Sequence, residues 1–414
     1  MPATPIFLAA ISLAIWLYLA AARGMFWRLS PFDDDEAIHT SPPTWPQVVA
    51  IIPARNEAET IGQTIAALLQ QDYPAEFSIV VVDDHSEDQT SQIALQSAKK
   101  RGAESRVGIH SASPYPPGWT GKLWALNEGL RDPVLLREGT VSTVPKSASD
   151  FGALAPAASV HKSAPTFLWF TDADVVHAPD TLRRLVARAE QSKLDLTSLM
   201  VLLRAKTLPE RALIPAFLFF FLKLYPPCWI ADPKAMTAGA AGGCILLRRE
   251  ALDRIGGLAA IRGEVIDDCA LARAVKHSGG KIWMGLTRAS RSLRAYVTFA
   301  EIRDMIARTA FTQLRYSTLL LLSTLVGLFL TYLVPIALLF VPNHTTRILA
   351  LAAWLLMSFT FLPTIRFYRL SPLWAPLLPL AAVFYAHATW LSALRYWLNR
   401  GAQWKGRAQA PRQS

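Results

Sequence analysis

The sequence predicts an α/β domain built on a parallel sheet, set between an apolar N-terminus and a very apolar C-terminal third. Three observations carry that expectation. Short continuous apolar runs at residues 48–52, 79–82 and 167–170 are separated by stretches of helical periodicity, the pattern of strands buried on both faces and joined by crossover helices. The second and third runs end in acidic residues, Asp83-Asp84 and Asp172-Ala173-Asp174, where open parallel sheets bind their ligands. Outside this block, residues 5–22, 317–341, 348–364 and 372–394 carry no charge, and each is close to or above the roughly 20 residues that span a bilayer as helix.

Taken in order, residues 1–30 predict a membrane anchor with a basic flank. No Lys or Arg precedes the apolar run, whereas Arg23 and Arg28 follow it, so the positive-inside bias places the following domain in the cytoplasm. A cleaved signal peptide is the alternative, because Ala20-Ala21-Ala22 resembles a small-residue cleavage site. The α/β domain is expected over 45–300. Its first strand, 48–52, ends at Pro53, and the next helix carries Ile61, Ile65, Leu68 and Leu69 at helical spacing, with Asn56 and Glu59 supplying N-cap and N3 chemistry. A strand at 79–82 and a helix at 91–100 follow.

Residues 131–166, rich in Ala, Ser, Pro and Thr without a period, read as a flexible insertion. The strand at 167–170 resumes the sheet, followed by a helix at 180–192 and a strand at 194–203. Residues from 212 to about 227 are apolar and aromatic apart from Lys223, too short for a span, and read as an interfacial helix or else a buried one. An amphipathic interface helix is expected over 301–316, then transmembrane helices over 317–395. Pro372, Pro376 and Pro379 allow the last of these to be broken or re-entrant. A full crossing there would put the basic tail at 396–414 on the far side, against the charge bias.

The chain of 414 residues is 52% hydrophobic with a formal net charge of +11. No aromatic-basic RNA motif accompanies that charge, so nucleic acid is not an expected partner. Five basic residues and no acids lie from Arg395 to Arg412, which suits anionic lipid head groups. Cys228, Cys244 and Cys269 show no metal-ligand spacing.

Several side chains suit chemistry. Asp83 and Asp84 can accept hydrogen bonds from a base or ribose, or can simply cap the next loop with Ser86 and Asp88. Asp172 and Asp174 can reach a hard divalent cation that also grips a diphosphate, Mg²⁺ or Mn²⁺. Lys122, after the turn-rich Pro116-Pro117-Gly118, offers a cation to phosphate or is simply a solvated lysine. Asp267-Asp268 precede a helix and can act as dipole partners or supply a general base.

Seven stretches then resemble, in order, the inverting glycosyltransferases of family 2, which have the GT-A fold: VVAIIPARNEAETI, QDYP, VVVDDHSEDQT, GWTGKLWALNEG, WFTDADVVHAPDTL, AGGCILLRREAL and IDDCALARAVKHSGG. They run from about Val48 to Gly280. With AIRGEVIDDCALA and RTAFTQLRYS, the chain looks most like the branch associated with hopanoid biosynthesis. The resemblance implies a nucleotide-diphospho-sugar domain with an N-terminal anchor and C-terminal transmembrane helices. Pro53, Glu57 and Asp84 would hold the base and ribose, with Lys122 near the phosphates. Asp172 and Asp174 would be the D-x-D pair, and Asp268 the catalytic base in a D-D pair whose first residue, Asp267, replaces the usual Glu.

Membrane-bound synthases of this family often carry Q-x-x-R-W. Here Gln313 is one residue out of register and Tyr316 replaces Trp, so Arg315 would meet the diphosphate and Tyr316 the acceptor, unless both only mark the membrane interface. The resemblance therefore implies a metal-dependent inverting hexosyltransferase of the bacterial inner membrane, using a nucleoside-diphosphate sugar and a lipid acceptor such as a hopanoid. A processive polysaccharide synthase and a non-catalytic scaffold that keeps the nucleotide-sugar fold are the alternatives.

Overall fold

The protein is described by a computed structural model covering residues 3–34, 42–131 and 165–398, with a short backbone pairing of Gln403–Trp404 with Arg407–Ala408. The insertion expected at 131–166 and the basic tail at 396–414 fall almost wholly outside the described residues.

An eight-stranded sheet has the order β3-β2-β1-β4-β7-β6-β8-β5. In chain order its strands are β1 (Val48–Ala54), β2 (Phe77–Asp83), β3 (Val107–Ser111), β4 (Phe167–Thr171), β5 (Val175–His177), β6 (Leu196–Leu202), β7 (Cys244–Arg248) and β8 (Ile282–Ser292). The first helices are α1 (Ala3–Ala21), α2 (Ile61–Leu69), α3 (Thr90–Lys99), α4 (Gly121–Gly129), α5 (Thr181–Gln191), α6 (Leu208–Leu224), α7 (Asp267–His277) and α8 (Phe299–Ala307). Every residue of β1 and β2 is buried, as continuous apolar runs require when helices cover both faces. Ile61, Ile65 and Leu68 of α2 and Leu182 and Leu185 of α5 pack on one face with Ala50, Ile52 and Val81. Leu123 and Leu126 of α4 and Leu271 of α7 pack on the other with Ile51, Val82 and Phe170.

Strands β3, β2, β1 and β4 are parallel, as expected. Beyond β4, past the series from which a parallel sheet was expected, the sheet is mixed: β7 runs antiparallel to both β4 and β6, and β5 antiparallel to β8. The chain leaves β6 through α6, which packs mainly on the apolar helices. No crossover helix then returns it in parallel. A correction concerns α2. Thr60 occupies its N-cap position, while Asn56 adopts a left-handed φ of 51° and its Oδ1 accepts from Glu87 N at 2.8 Å. Asn56 therefore fastens the β1 loop to the β2 loop and does not open the helix.

Among the described residues, four helices are long and apolar enough to cross a membrane: Thr4–Ala21, Thr318–Leu338, His344–Phe367 and Pro372–Trp397. The second is α9 (Thr318–Leu328) continued through a π-helical turn at Phe329–Leu333. Pro335 lacks the N–H that would bond the Thr331 carbonyl four residues earlier, and Trp16 Nε1 of α1 donates to that carbonyl instead, at 2.8 Å. The third is α10 (His344–Phe367). The last begins as a 3-10 turn over Pro372–Leu377, which holds Pro372 and Pro376, before α11 (Leu378–Trp397), whose second residue is Pro379.

Segment 212–227 lies mainly in α6, buried from Leu213 to Leu222 on most sides. Phe219 meets Phe26 and Phe361 edge-on at 5.1 Å each, and Tyr385 donates to Leu213 O at 3.1 Å. Helix α6 thus joins the sheet domain to the apolar helices. Where one amphipathic helix was expected over 301–316, the chain forms α8 and a separate short helix, Ala310–Gln313.

Candidate active site

The acidic residues converge because the turn after β4 and the first turn of α7 meet beside the first turn of α4. β4 delivers Asp172, and the N-terminus of α7 brings Asp267 and Asp268 to it across Lys122, the second residue of α4. Pro53, Lys122, Asp172, Gly242, Asp267 and Asp268 line one cleft, whose apolar wall includes Phe170, Ile245 and Leu271. Lys122 Nζ lies 3.0 Å from Asp172 Oδ1 and 3.5 Å from Asp267 Oδ2. Burial by itself would lower the Lys122 pKa, but Asp172 and Asp267, followed by Asp268, reverse this and raise it above the ordinary lysine value.

Asp268 is held by two backbone N–H groups, Gly242 N on Oδ2 at 2.9 Å and Cys269 N on Oδ1 at 2.7 Å. Those bonds and Lys122 favour its charged form. Burial, aided by the like charge of Asp267, outweighs them and pushes its pKa up to about 6. A carboxylate with a pKa of about 6 suits proton abstraction near neutral pH.

A second cluster adjoins the first. Arg294, just past β8, donates through Nη2 to Glu57 Oε1 at 2.6 Å and through Nε to Asp174 Oδ2 at 2.8 Å. It therefore joins the β1 loop to the end of the D-x-D turn. Burial opposes its charge, but Asp174 and Glu57 overcome that and raise its pKa. Asp84 sits at the end of β2, only 1% exposed, and the Arg55 guanidinium fixes its carbonyl at 2.6 Å. Asp83 is a loop cap, accepting from Ser86 N and the Ser91 hydroxyl.

Gln313 approaches from the side of the apolar helices: its Oε1 accepts from Tyr225 OH at 2.9 Å, and Tyr225 is close enough to Cys269 and Asp268 for both to raise its pKa, after burial. Arg315 and Tyr316 are exposed and have left-handed φ values of 51° and 56°. Tyr316 stacks on Tyr396 of α11 at 4.4 Å. Neither lines the cleft around Asp268.

Three residues at the site escaped the sequence reading: Arg294, Gly242 and Tyr225. The signal for Arg294 was a cation just after an apolar-rich strand, and for Gly242 a Gly-Gly pair just before one. Nothing in the sequence set Tyr225 apart from the aromatics of the helix it follows.

Two divalent-cation ligands can be drawn from the D-x-D turn. Asp172 is half-exposed and shares only one oxygen with Lys122, whereas Asp174 Oδ2 is committed to Arg294. Among the described residues no group of three or more His, Cys, Asp or Glu forms a self-sufficient metal cage. Two carboxylates completed by phosphate oxygens and water match the habit of Mg²⁺.

Comparison with known structures gives the mannosyltransferase PcManGT from Pyrobaculum calidifontis, described in complex with GDP-Man and Mn²⁺. It has 17% identity and a TM-score of 0.54, with 96% of this chain and 98% of that one covered. The two share a fold over nearly their whole lengths. TarS from S. aureus has 17% identity and a TM-score of 0.37 over 64% of this chain and 40% of its own. Glucosyl-3-phosphoglycerate synthase from Mycobacterium tuberculosis has 17% identity and a TM-score of 0.36 over 64% and 79%. At such scores neither defines the fold here. A search among curated proteins finds no match. The family model "Glycosyltransferase like family 2" matches residues 46–312, which takes in the sheet, the acidic cleft and α8, and the chain belongs to that family.

Proposed function

We propose that the protein is a membrane-bound, metal-dependent, inverting glycosyltransferase that moves a hexose from a nucleoside-diphosphate sugar to a lipid acceptor. The observation that carries this reading is Asp268, a carboxylate fixed by two backbone N–H groups in a cleft beside Asp172 and Lys122. Family membership supports sugar transfer, and the similar mannosyltransferase, described with GDP-Man and Mn²⁺, supports a nucleoside-diphosphate donor.

In this reading Pro53, Glu57 and Asp84 hold the nucleoside, and Lys122 meets the phosphates. The carboxylates Glu57, Asp172, Asp174, Asp267 and Asp268 outnumber Lys122 and Arg294, so an anionic donor needs added positive charge there. A divalent cation on Asp172 and Asp174 would supply it and stabilise the leaving diphosphate. Asp268 takes the proton from the acceptor hydroxyl. The acceptor oxygen bonds to the anomeric carbon as its bond to the diphosphate breaks, and one displacement inverts the centre. Asp267 and Gln313 face the acceptor side, and Arg315 and Tyr316 border the route from the bilayer.

The four apolar helices support a membrane setting, and Arg23 and Arg28 support a cytoplasmic cleft at the bacterial inner membrane. A hopanoid acceptor rests on the sequence resemblance of AIRGEVIDDCALA and RTAFTQLRYS to the hopanoid-associated branch. The test is nucleoside-diphosphate release by the full chain in lipid with Mn²⁺, using a panel of nucleotide sugars with and without hopanoid. Asp268→Asn should cost about 10²–10⁴-fold in turnover while donor binding by calorimetry persists. Undiminished turnover in that variant would refute the assignment of the base. Release unaffected by any lipid would refute the lipid acceptor.

A further inference from the structure

Between residues 212 and 225 the only charge is Lys223. Its Nζ donates to Tyr332 OH at 2.9 Å and lies 5.1 Å and 5.0 Å from the Phe220 and Tyr332 ring centroids. Tyr332 is fully buried and meets Trp16 of α1 edge-on at 5.4 Å. This aromatic wall is tied to the π-helical turn, because Trp16 also donates to the Thr331 carbonyl, which Pro335 cannot bond.

Arg23 completes the arrangement. It follows α1 directly, donates to the Lys223 and Leu224 carbonyls at 3.0 Å and 3.4 Å, and stacks its guanidinium 4.6 Å above Trp229. The Arg23 guanidinium is near enough to the Lys223 ammonium for the two charges to repel, and among the described residues no carboxylate pairs with either. Burial first, and Arg23 second, lower the Lys223 pKa to about 8, so the ammonium still carries charge at neutral pH. Tyr332 uses one of its three N–H donors. A part-buried cation pair with no counterion is costly unless an anion comes from outside.

The surroundings indicate where that anion comes from. Leu17 and Tyr18, in the last turns of α1, and Leu224 beside Lys223 are 54%, 51% and 46% exposed. Apolar side chains thus flank the cations at the end of α1 nearest the sheet domain, the depth at which head groups meet acyl chains. We infer that Lys223 and Arg23 form a binding site for the phosphate of an anionic lipid, seated where α1, α6 and the π-helical turn meet. The site rests on the membrane setting proposed above and is separate from the acidic cleft.

The test places the full chain in phosphatidylcholine nanodiscs, titrates in phosphatidylglycerol, and counts retained lipid by native mass spectrometry. Wild type should retain phosphatidylglycerol about fivefold more tightly than phosphatidylcholine. Lys223→Met should lose that preference and Arg23→Gln should weaken it. Lys223→Met removes an unpaired ammonium at similar volume, so the chain should still fold, which a melting curve in the same discs checks. An incorporated wild type without headgroup preference, or a Lys223→Met variant that keeps it, would overturn the site alone. Failure to enter discs would overturn the membrane setting and the site together. Inorganic phosphate at millimolar concentration should not displace the lipid; displacement would make free phosphate the ligand and overturn the lipid assignment.

Discussion

The backbone N–H of Gly242 donates to Asp268 Oδ2 at 2.9 Å, which fastens the turn before β7 to the first turn of α7. Cys269 N holds the other oxygen, so the carboxylate is fixed at both ends before any substrate arrives. Preorganisation of this kind keeps a base in line with its proton.

Glycine at 242 leaves room for that arrangement. A Cβ there would come within 3.2 Å of Lys122 Nζ and 3.3 Å of Asp268 Oδ2, and Lys122 is itself held by Asp172 and Asp267. Gly242→Ala should therefore displace the base by a few tenths of an ångström and lower kcat by about tenfold. Donor Kd should change much less. Steady-state kinetics with calorimetry on the same preparation checks this, and an unchanged kcat would show that the displacement is absorbed elsewhere.

The pH profile should report Asp268. As a base it works only when ionised, so kcat/KM should fall as pH drops through about 6, the value to which burial and Asp267 raise it. Asp267→Asn removes the repelling charge, which favours the ionised form of Asp268. The acid limb should then move to lower pH. A limb that stays at the same pH would mean that another group governs it.

Arg294 should govern donor affinity through its two partners. Cutting it back to Met leaves Glu57 and Asp174 without their shared guanidinium and loosens the β1 loop from the D-x-D turn. Charge-assisted hydrogen bonds are worth about 1.5–3 kcal/mol each, so Arg294→Met should weaken nucleoside-diphosphate binding by about 10–100-fold. Arg294→Lys should restore only part, since an ammonium cannot span both carboxylates as a planar fork does. Titration calorimetry with Mn²⁺ present measures both variants.

The part of the fold governed by local pattern was legible in the sequence. β1, β2 and β4 appear as continuous apolar runs, and Asp172, just past β4, marks the cleft. The reversal of β7 was not legible, because a four-residue apolar run such as 244–247 reads alike in either direction. At the site, Lys122, Asp172, Asp267 and Asp268 were each visible as motif residues. Arg294 was hidden because its role depends on β8 bringing it beside Asp174, a contact 120 residues apart in the chain. The role of Tyr225 likewise arises only once α6 and the helix Ala310–Gln313 fold together.

The D-x-D turn also depends on a buried histidine behind it. His177 Nε2 lies 2.8 Å from Thr171 Oγ1 and its Nδ1 lies 2.8 Å from Ser290 Oγ, so one neutral ring ties β4, β5 and β8 together on either side of Asp172 and Asp174. Burial lowers its pKa from 6.5 to about 3. The unfolded chain therefore binds a proton at pH values where the native one does not. This contribution to stability is fully present above about pH 6.5 and is lost progressively as pH falls towards 3. His177→Ala should lower stability by about 2–3 kcal/mol at pH 7.5 through the broken hydrogen bonds and the cavity, and should flatten the decline between pH 6.5 and 4. Melting temperatures of both proteins across that range supply the test: parallel curves would show that His177 titrates in the native protein much as it does in the unfolded chain.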